Sequence, residues 1–296
     1  MLIKPEISFF SWKPACWLRV QGPDAFSFLQ GQFSNDLRGS GAIYGLWLDR
    51  KGRILGDGFV LRAAEERFFI CSYETPAAVL RTHLESFIVA DEVEVFDETL
   101  EVVGLTLFLR AGPGISLDLG GAGYSFYGRR GGEALEWVGS AGGRTELLAK
   151  LDSPGELSAV EMERRRILSK IPAVPRDLGS RNLPQEGGAD FERTAVSYTK
   201  GCYLGQEVMS RLRTMGRVRR SLVSVRAEGA VPSELPTSLY FGEKRVGELR
   251  SAAAAETSSG FVGLALVSLY GLPTGSVRLS LCPNGTADVA VEVPVP

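Results

Sequence analysis

Apolar and polar positions alternate along the chain in blocks that predict a mixed helix and strand protein. Residues 15–21 (ACWLRVQ) read as a strand running into GPDAFSFLQGQ, where Pro23 suits the first turn of a short helix. The stretch 43–62 predicts two strands joined by a turn at Asp49–Gly52, with LDRKGR as the hairpin tip. Arg67–Ser72 predicts another strand, and Ala77–Ile88 an amphipathic helix. Ser158–Lys170 is the clearest helix: Ser158 and Glu161 form a capping box, Leu157 and Met162 are placed for a hydrophobic staple, and Pro172 and Pro175 end it. From Ser221 onward, short Val/Leu strands alternate with Gly, Pro and Ser turns, which predicts a small all-β domain, a barrel or a sandwich. The alternation lacks the regularity of a doubly wound parallel sheet.

Composition narrows the function classes. A chain of 296 residues holds two or three domains, and 33 Lys+Arg against 35 Asp+Glu gives a net charge of −2, so neither a nucleic acid nor a membrane surface is the expected partner. No apolar run approaches the ~20 residues of a bilayer span. No basic-then-apolar leader is visible, so a cytoplasmic protein is expected. Cys16, Cys71, Cys202 and Cys282 form no CxxC pair and His83 is the single histidine, so no metal site is expected; His83 itself reads as an ordinary helical residue. Charge is unevenly placed. Glu85–Glu101 holds seven acidic residues and no basic ones, which reads as a solvated strand edge. The 35 positions of 111–145 include 11 glycines and predict loops between short strands.

One segment stands apart, Tyr198–Leu212 (YTKGCYLGQEVMSRL). Leu204, Val208 and Leu212 recur at helical spacing, and Glu207 can pair with Arg211 at i, i+4. A helix starting near Tyr203 would put Cys202 at its N-terminus, with Lys200 close by, an arrangement that favours a thiolate. The plainer reading is a buried structural cysteine, and spacing alone leaves both open. The basic run Arg211–Arg220 is open in the same way. It is either a solvated face or an electropositive cleft for a polyanion or polycarboxylate, since Arg pairs bidentately with both.

Lys200-Gly201-Cys202-Tyr203-Leu204-Gly205-Gln206-Glu207 resembles the KGCYxGQE signature of the YgfZ family, folate-binding proteins of iron–sulfur maintenance related to the glycine-cleavage T-protein. Leu18–Ala25 with Phe28–Asp36, Gly45–Ile54, Leu183-Pro184-Gln185-Glu186 and Gly216–Arg220 resemble further blocks of that family in the same order. The resemblance implies an α+β fold, a three-part cloverleaf around a central channel. Residues 1–50 plus 153–215 would form a discontinuous α/β lobe carrying the KGC motif, 51–152 a ferredoxin-like lobe, and 216–296 a C-terminal β-barrel. It implies tetrahydrofolate or a related folate as ligand, with Asn35, Asp36, Gln185, Glu186 and Arg166 as contacts. It also implies a monomer that works with iron–sulfur proteins or assembly factors, indirectly supporting tRNA modification. Cys202 would be the reactive thiol, Lys200 its activator, and Glu207 and Arg211 would hold the segment against its lobe.

Two departures bear on activity. T-proteins carry an Arg-x-Glu-x-Gly element whose acid binds the pterin, and the counterpart Arg166-Ile-Leu-Ser-Lys170 has Leu168 in its place. The T-protein's catalytic aspartate follows the strand matching Phe68–Ser72, whereas Ser72–Val79 offers only Glu74. Both losses count against the alternative function, a tetrahydrofolate-dependent aminomethyltransferase, because a pterin edge rich in N–H donors wants a carboxylate.

Overall fold

The computed structural model describes residues 7–109, 123–151, 154–216, 218–256 and 259–294. The elements in chain order begin with β1 (Ile7–Trp12), β2 (Cys16–Gln21), α1 (Ala25–Gln32), β3 (Ile43–Leu48), β4 (Ile54–Ala64), β5 (Arg67–Ser72), α2 (Ala77–Glu85) and β6 (Glu94–Asp97). Next come β7 (Val103–Leu109), β8 (Gly123–Tyr127), β9 (Ala134–Gly139), α3 (Ala141–Lys150), the two-residue β10 (Gly155–Glu156) and α4 (Ala159–Leu168). Helices α5 (Ala189–Ala195) and α6 (Gln206–Met215) follow, and the chain finishes with β11 (Arg220–Glu228), β12 (Thr237–Phe241), β13 (Lys244–Ala254), β14 (Gly260–Ser268), β15 (Gly275–Leu279) and β16 (Val289–Val293). Mixed α/β character with several sheets matches the expected class. The chain divides into two units, both discontinuous in sequence: 1–28, 37–43 and 58–162, and 29–36, 44–57 and 163–296.

In the first unit, one sheet runs in the order β10-β1-β7-β9-β8, antiparallel except for the β1/β10 pair. Phe9, Leu105, Leu107 and Trp137 pack beneath it against Leu147 of α3. A second set of strands pairs the end of β4 with β5, β5 with β2, and β2 with β6. The acidic strand β6 lies at the edge of its sheet, as its charge predicts. Val93 and Val95 turn inward while Glu92 and Glu94 face water, the alternation of a half-buried strand. The capping box at α4 forms as predicted: the Ser158 amide donates to Glu161 at 2.8 Å and the Glu161 amide to Ser158 Oγ at 3.2 Å. Leu157 and Met162 share a cluster with Phe108 and Ala134.

Three local expectations shift. Pro23 lies in the turn before α1 rather than inside it, and α2 stops at Glu85 rather than Ile88. The end of the glycine-rich stretch is helix α3, because Ser140 caps it by accepting from the Gly143 amide at 3.1 Å. Positions 111–122 of that stretch lie outside the described residues.

In the second unit, β3 and the start of β4 form the predicted hairpin around Asp49–Gly52. Its tip is fixed by the Gly52 amide donating to the Asp49 carbonyl at 2.9 Å, and by the Lys51 and Arg53 amides donating to Asp49 Oδ1 at 2.8 Å. Strands β11–β16 make one six-stranded sheet in the order β12-β13-β14-β11-β16-β15. Tyr240 and Ser280 exchange two backbone hydrogen bonds of 2.9 Å, which bring its two edges together. Leu239, Leu249, Ala265, Val267, Leu279 and Val289 fill the interior. The predicted all-β domain is therefore a barrel rather than a sandwich.

Candidate functional site

The KGC segment is built onto the end of α1 and the stretch that follows it. The Ser197 amide donates to the Ser34 carbonyl at 2.9 Å and the Leu204 amide to the Gly31 carbonyl at 3.0 Å, so both ends are fixed to the same short run of chain. Ser34 Oγ donates to the Ala195 carbonyl at 2.6 Å, and Asn35 Nδ2 donates to the carbonyls of Thr194 and Tyr44 at 2.9 and 2.8 Å. Lys200 is 5% exposed, and its ammonium donates to the carbonyls of Gln30, Phe33 and Asn35 at 2.6, 2.6 and 2.9 Å. A cation is thus fixed at the C-terminal end of α1, where carbonyls lack helical donors and the dipole is negative. Tyr203 is 6% exposed, with its ring 5.2 Å from that ammonium. Burial and then Glu192 push its phenol up to about 12, and its hydroxyl finds no hydrogen-bond partner among the described residues. Between these two anchors Gly201 and Cys202 are exposed.

Three expectations for the segment need correction. Helix α6 begins at Gln206, with Gly205 as its N-cap at φ +84°, so Cys202 lies in the loop before the helix and not at its N-terminus. A Cβ on Gly205 would stand 2.8 Å from the Asp49 carbonyl oxygen; the left-handed backbone and this close approach to the hairpin tip both require glycine. The three donors of Lys200 are taken up by backbone carbonyls, so they are turned to the chain rather than to the thiol. Glu207 and Arg211 do pair, at 2.7 Å, but with side chains 85% and 67% exposed they form a solvent-facing bridge. Met209, fully buried, and the half-buried Val208 and Leu212 hold α6 in place.

The other expected residues divide. Asn35 Oδ1 accepts from the Asp36 amide at 2.9 Å, and Asp36 Oδ1 accepts from Gln30 Nε2 at 2.8 Å, so both brace the floor of the segment. Gln185 reaches it too: its Nε2 lies 3.3 Å from the Tyr198 hydroxyl and 3.5 Å from Met209 Sδ, and its buried Oε1 finds no donor among the described residues. Beside the segment is a hollow of about 450 Å³ whose lining includes Asn35, Glu192, Ser197, Tyr198 and Arg213. There the Tyr198 hydroxyl donates to Glu192 and the Arg213 guanidinium lies 4.2 Å above the Tyr198 ring. Burial, then Glu192, raise the Tyr198 pKa.

Glu186 and Arg166 serve structure. Buried Glu186 accepts from Asn182 Nδ2 at 2.7 Å and from Arg220 Nε at 3.0 Å. Arg166 bonds Glu163 through Nε and Nη2 at 2.9 and 2.7 Å, Ile171 O and Asp177 through Nη1 at 2.5 and 2.6 Å, and Ser251 Oγ through Nη2 at 2.7 Å. That uses all five N–H donors of the guanidinium. Leu168 is 53% exposed on α4. Arg166 therefore has no donor left for a pterin, and Leu168 offers no carboxylate.

Sequence reasoning missed a second polar cluster, in the first unit. Fully buried Glu136 accepts from the Tyr73 hydroxyl at 2.8 Å and from Thr106 Oγ1 at 2.7 Å, with Arg130 Nε at 3.5 Å. Burial raises the carboxyl above its usual range and the Tyr73 phenol well above its own. Arg130 stacks 4.0 Å from the Tyr73 ring and 4.7 Å from the Trp12 ring. The glutamate of ALEWVG lies in the glycine-rich stretch that predicts loops between short strands, and nothing local shows that this part of β9 is buried on both faces.

Among the described residues, no three His, Cys, Asp or Glu side chains gather as a metal site, and no helix is long and apolar enough to cross a membrane. Residues 8–113 match the family described as the GCVT N-terminal domain. A glycine cleavage system aminomethyltransferase T from Bartonella henselae has the same fold, at a TM-score of 0.78 and 20% identity over 98% of this chain and 86% of that one. An iron-sulfur cluster assembly factor IBA57 homolog, mitochondrial, from Cryptococcus neoformans is 28% identical over 252 residues, covering 75% of this chain and 66% of that protein. The iron-sulfur cluster assembly factor IBA57, mitochondrial, of Homo sapiens is 30% identical over 279 residues, covering 84% of this chain and 74% of the human one. On that likeness the chain belongs to the family of the iron-sulfur cluster assembly factor IBA57.

Proposed function

We propose that the protein is an accessory factor for iron–sulfur cluster assembly or repair, acting on clusters of client proteins through Cys202. One observation carries the reading: an exposed thiol is held between two buried anchors, Lys200 and Tyr203, in a segment fastened at both ends to residues 31–34. Such a loop presents sulfur to a partner at little ordering cost. As thiolate, Cys202 supplies one soft ligand, and the client's own cysteines supply the rest. Cluster-bearing tRNA-modifying enzymes would be among the clients. Tetrahydrofolate is the proposed small-molecule ligand by resemblance to the family. Since Arg166 is saturated and Leu168 is apolar, no chemical step is assigned to it, and the aminomethyltransferase fold alone does not bring that activity with it.

The test is the activity of a [4Fe–4S] enzyme in cells that depend on this protein. Cys202→Ser should lose at least ten-fold in rescue while Cys282→Ser, the other exposed cysteine, keeps it. Full rescue by Cys202→Ser sinks the thiol role. Calorimetric titration with tetrahydrofolate, run beside Leu168→Glu, tests the ligand: no heat from either protein removes folate from the reading.

A further inference from the structure

The second unit holds a cleft of about 540 Å³ at the wall of the barrel, and its lining shares no residue with the KGC segment. Arg181, Arg220, Arg245 and Arg250 line it, and Glu248 is the one carboxylate among its described lining residues. In a chain of net charge −2, four guanidinium groups in one concavity are a strong local reversal of sign.

The arginines are set in place by carboxylates that neutralise only part of them. Glu248 bridges Arg245 and Arg250, the latter at 2.7 Å. Glu186, 7% exposed, holds Arg220 at 3.0 Å. Among the described residues, two carboxylates against four guanidinium groups leave a surplus of two positive charges. Arg250 is held where strand pairing breaks: in the β13/β14 register Leu249 faces Ala265 and Ser251 faces Leu264, so Arg250 is the extra residue of a bulge. A bulge re-aims the side chain it carries. The Nε–H of Arg250 is buried and finds no acceptor among the described residues, an unsatisfied donor of a kind that folded proteins avoid. Arg220 also ends the basic run whose polyanion reading the sequence leaves open; Arg217 of that run lies outside the described residues.

We propose that this cleft binds a small ligand carrying at least two anionic groups, phosphates or carboxylates, with Arg245 and Arg250 as its principal contacts. The cleft volume is that of a small-molecule site, and planar guanidinium forks match either oxyanion bidentately. The site is independent of the Cys202 reading and stands or falls without it.

Calorimetric titration of the full chain with pyrophosphate, and separately with citrate, tests the inference. Saturable binding of at least one is expected, weakened ten-fold or more by Arg250→Gln and by Arg245→Gln. Arg278→Gln, an exposed arginine on β15, should bind as the parent does. Preference for pyrophosphate marks the ligand as a phosphate ester, and preference for citrate marks it as a polycarboxylate. Arg250→Lys, which keeps the charge but loses the fork, guards against misfolding of the neutral variants and should bind with intermediate strength. Failure of both anions to saturate overturns the proposal. So does undiminished affinity in Arg250→Gln with a melting curve like the parent's.

Discussion

Replacing Lys200 with Met keeps most of the side-chain volume and removes the ammonium. The carbonyls of Gln30, Phe33 and Asn35 then lose donors at 2.6, 2.6 and 2.9 Å, at a position only 5% exposed. Hydrogen bonds to a charged group are worth ~1.5–3 kcal/mol each. The ammonium's own desolvation offsets part of that sum, which leaves a net loss of about 3–5 kcal/mol, the range for breaking a buried charged contact. The local consequence is more specific. The amides of Ser197 and Leu204, which donate to Ser34 and Gly31 across the same anchor, should lose much of their protection from hydrogen exchange. Urea unfolding of the full chain reads the global term, provided the slope stays constant. An unchanged midpoint together with retained protection at Ser197 and Leu204 would refute Lys200 as the anchor of the cysteine loop.

Two other perturbations are decided by the same geometry. Gly205→Ala puts a Cβ at φ +84° and 2.8 Å from the Asp49 carbonyl oxygen, so the urea midpoint should fall by about 1–3 kcal/mol equivalent; a neutral result would mean that the hairpin tip yields without cost. Burial alone would raise the Glu163 carboxyl, yet Arg166 and Arg176 hold it below its usual range. Its folded value is therefore below its unfolded one, so its stabilisation is complete above an unfolded pKa of about 4.3 and fades as pH falls through the folded value. The acid limb of melting temperature against pH should flatten in Glu163→Gln, and an unaltered limb would remove this ion pair from the acid sensitivity.

Much of the architecture could be read from the chain because local rules acted alone there. Arg67–Ser72 is a strand with the bounds its apolar run predicts, and the α4 capping box needs only Ser158 and Glu161. The hairpin at 49–52 follows from an aspartate that accepts its own turn's amides. The misreadings fall where distant contacts decide. Helical spacing drew α6 back to Tyr203, because the period cannot register that Gly205 is held left-handed against the hairpin tip. Lys200 reads as a positive charge that activates a nearby thiol, and only the fold brings three carbonyls from the end of α1 and beyond round it. The family resemblance implies Arg166 as a ligand contact, but its partners Asp177 and Ser251 come from separate parts of the chain.

The strand order of the barrel has a consequence for synthesis. β16 is inserted between β11 and β15, although it is made after both. On the ribosome, β11 therefore shows an open hydrogen-bonding edge, flanked by the apolar Val223 and Val225, until Val289–Val293 has emerged. The interval between the two strands is the period in which a nascent chain can pair with a neighbour instead. A truncation just before Val289 would make that exposure permanent and send the product to aggregates or proteases, even though every residue of the cysteine loop would already be present.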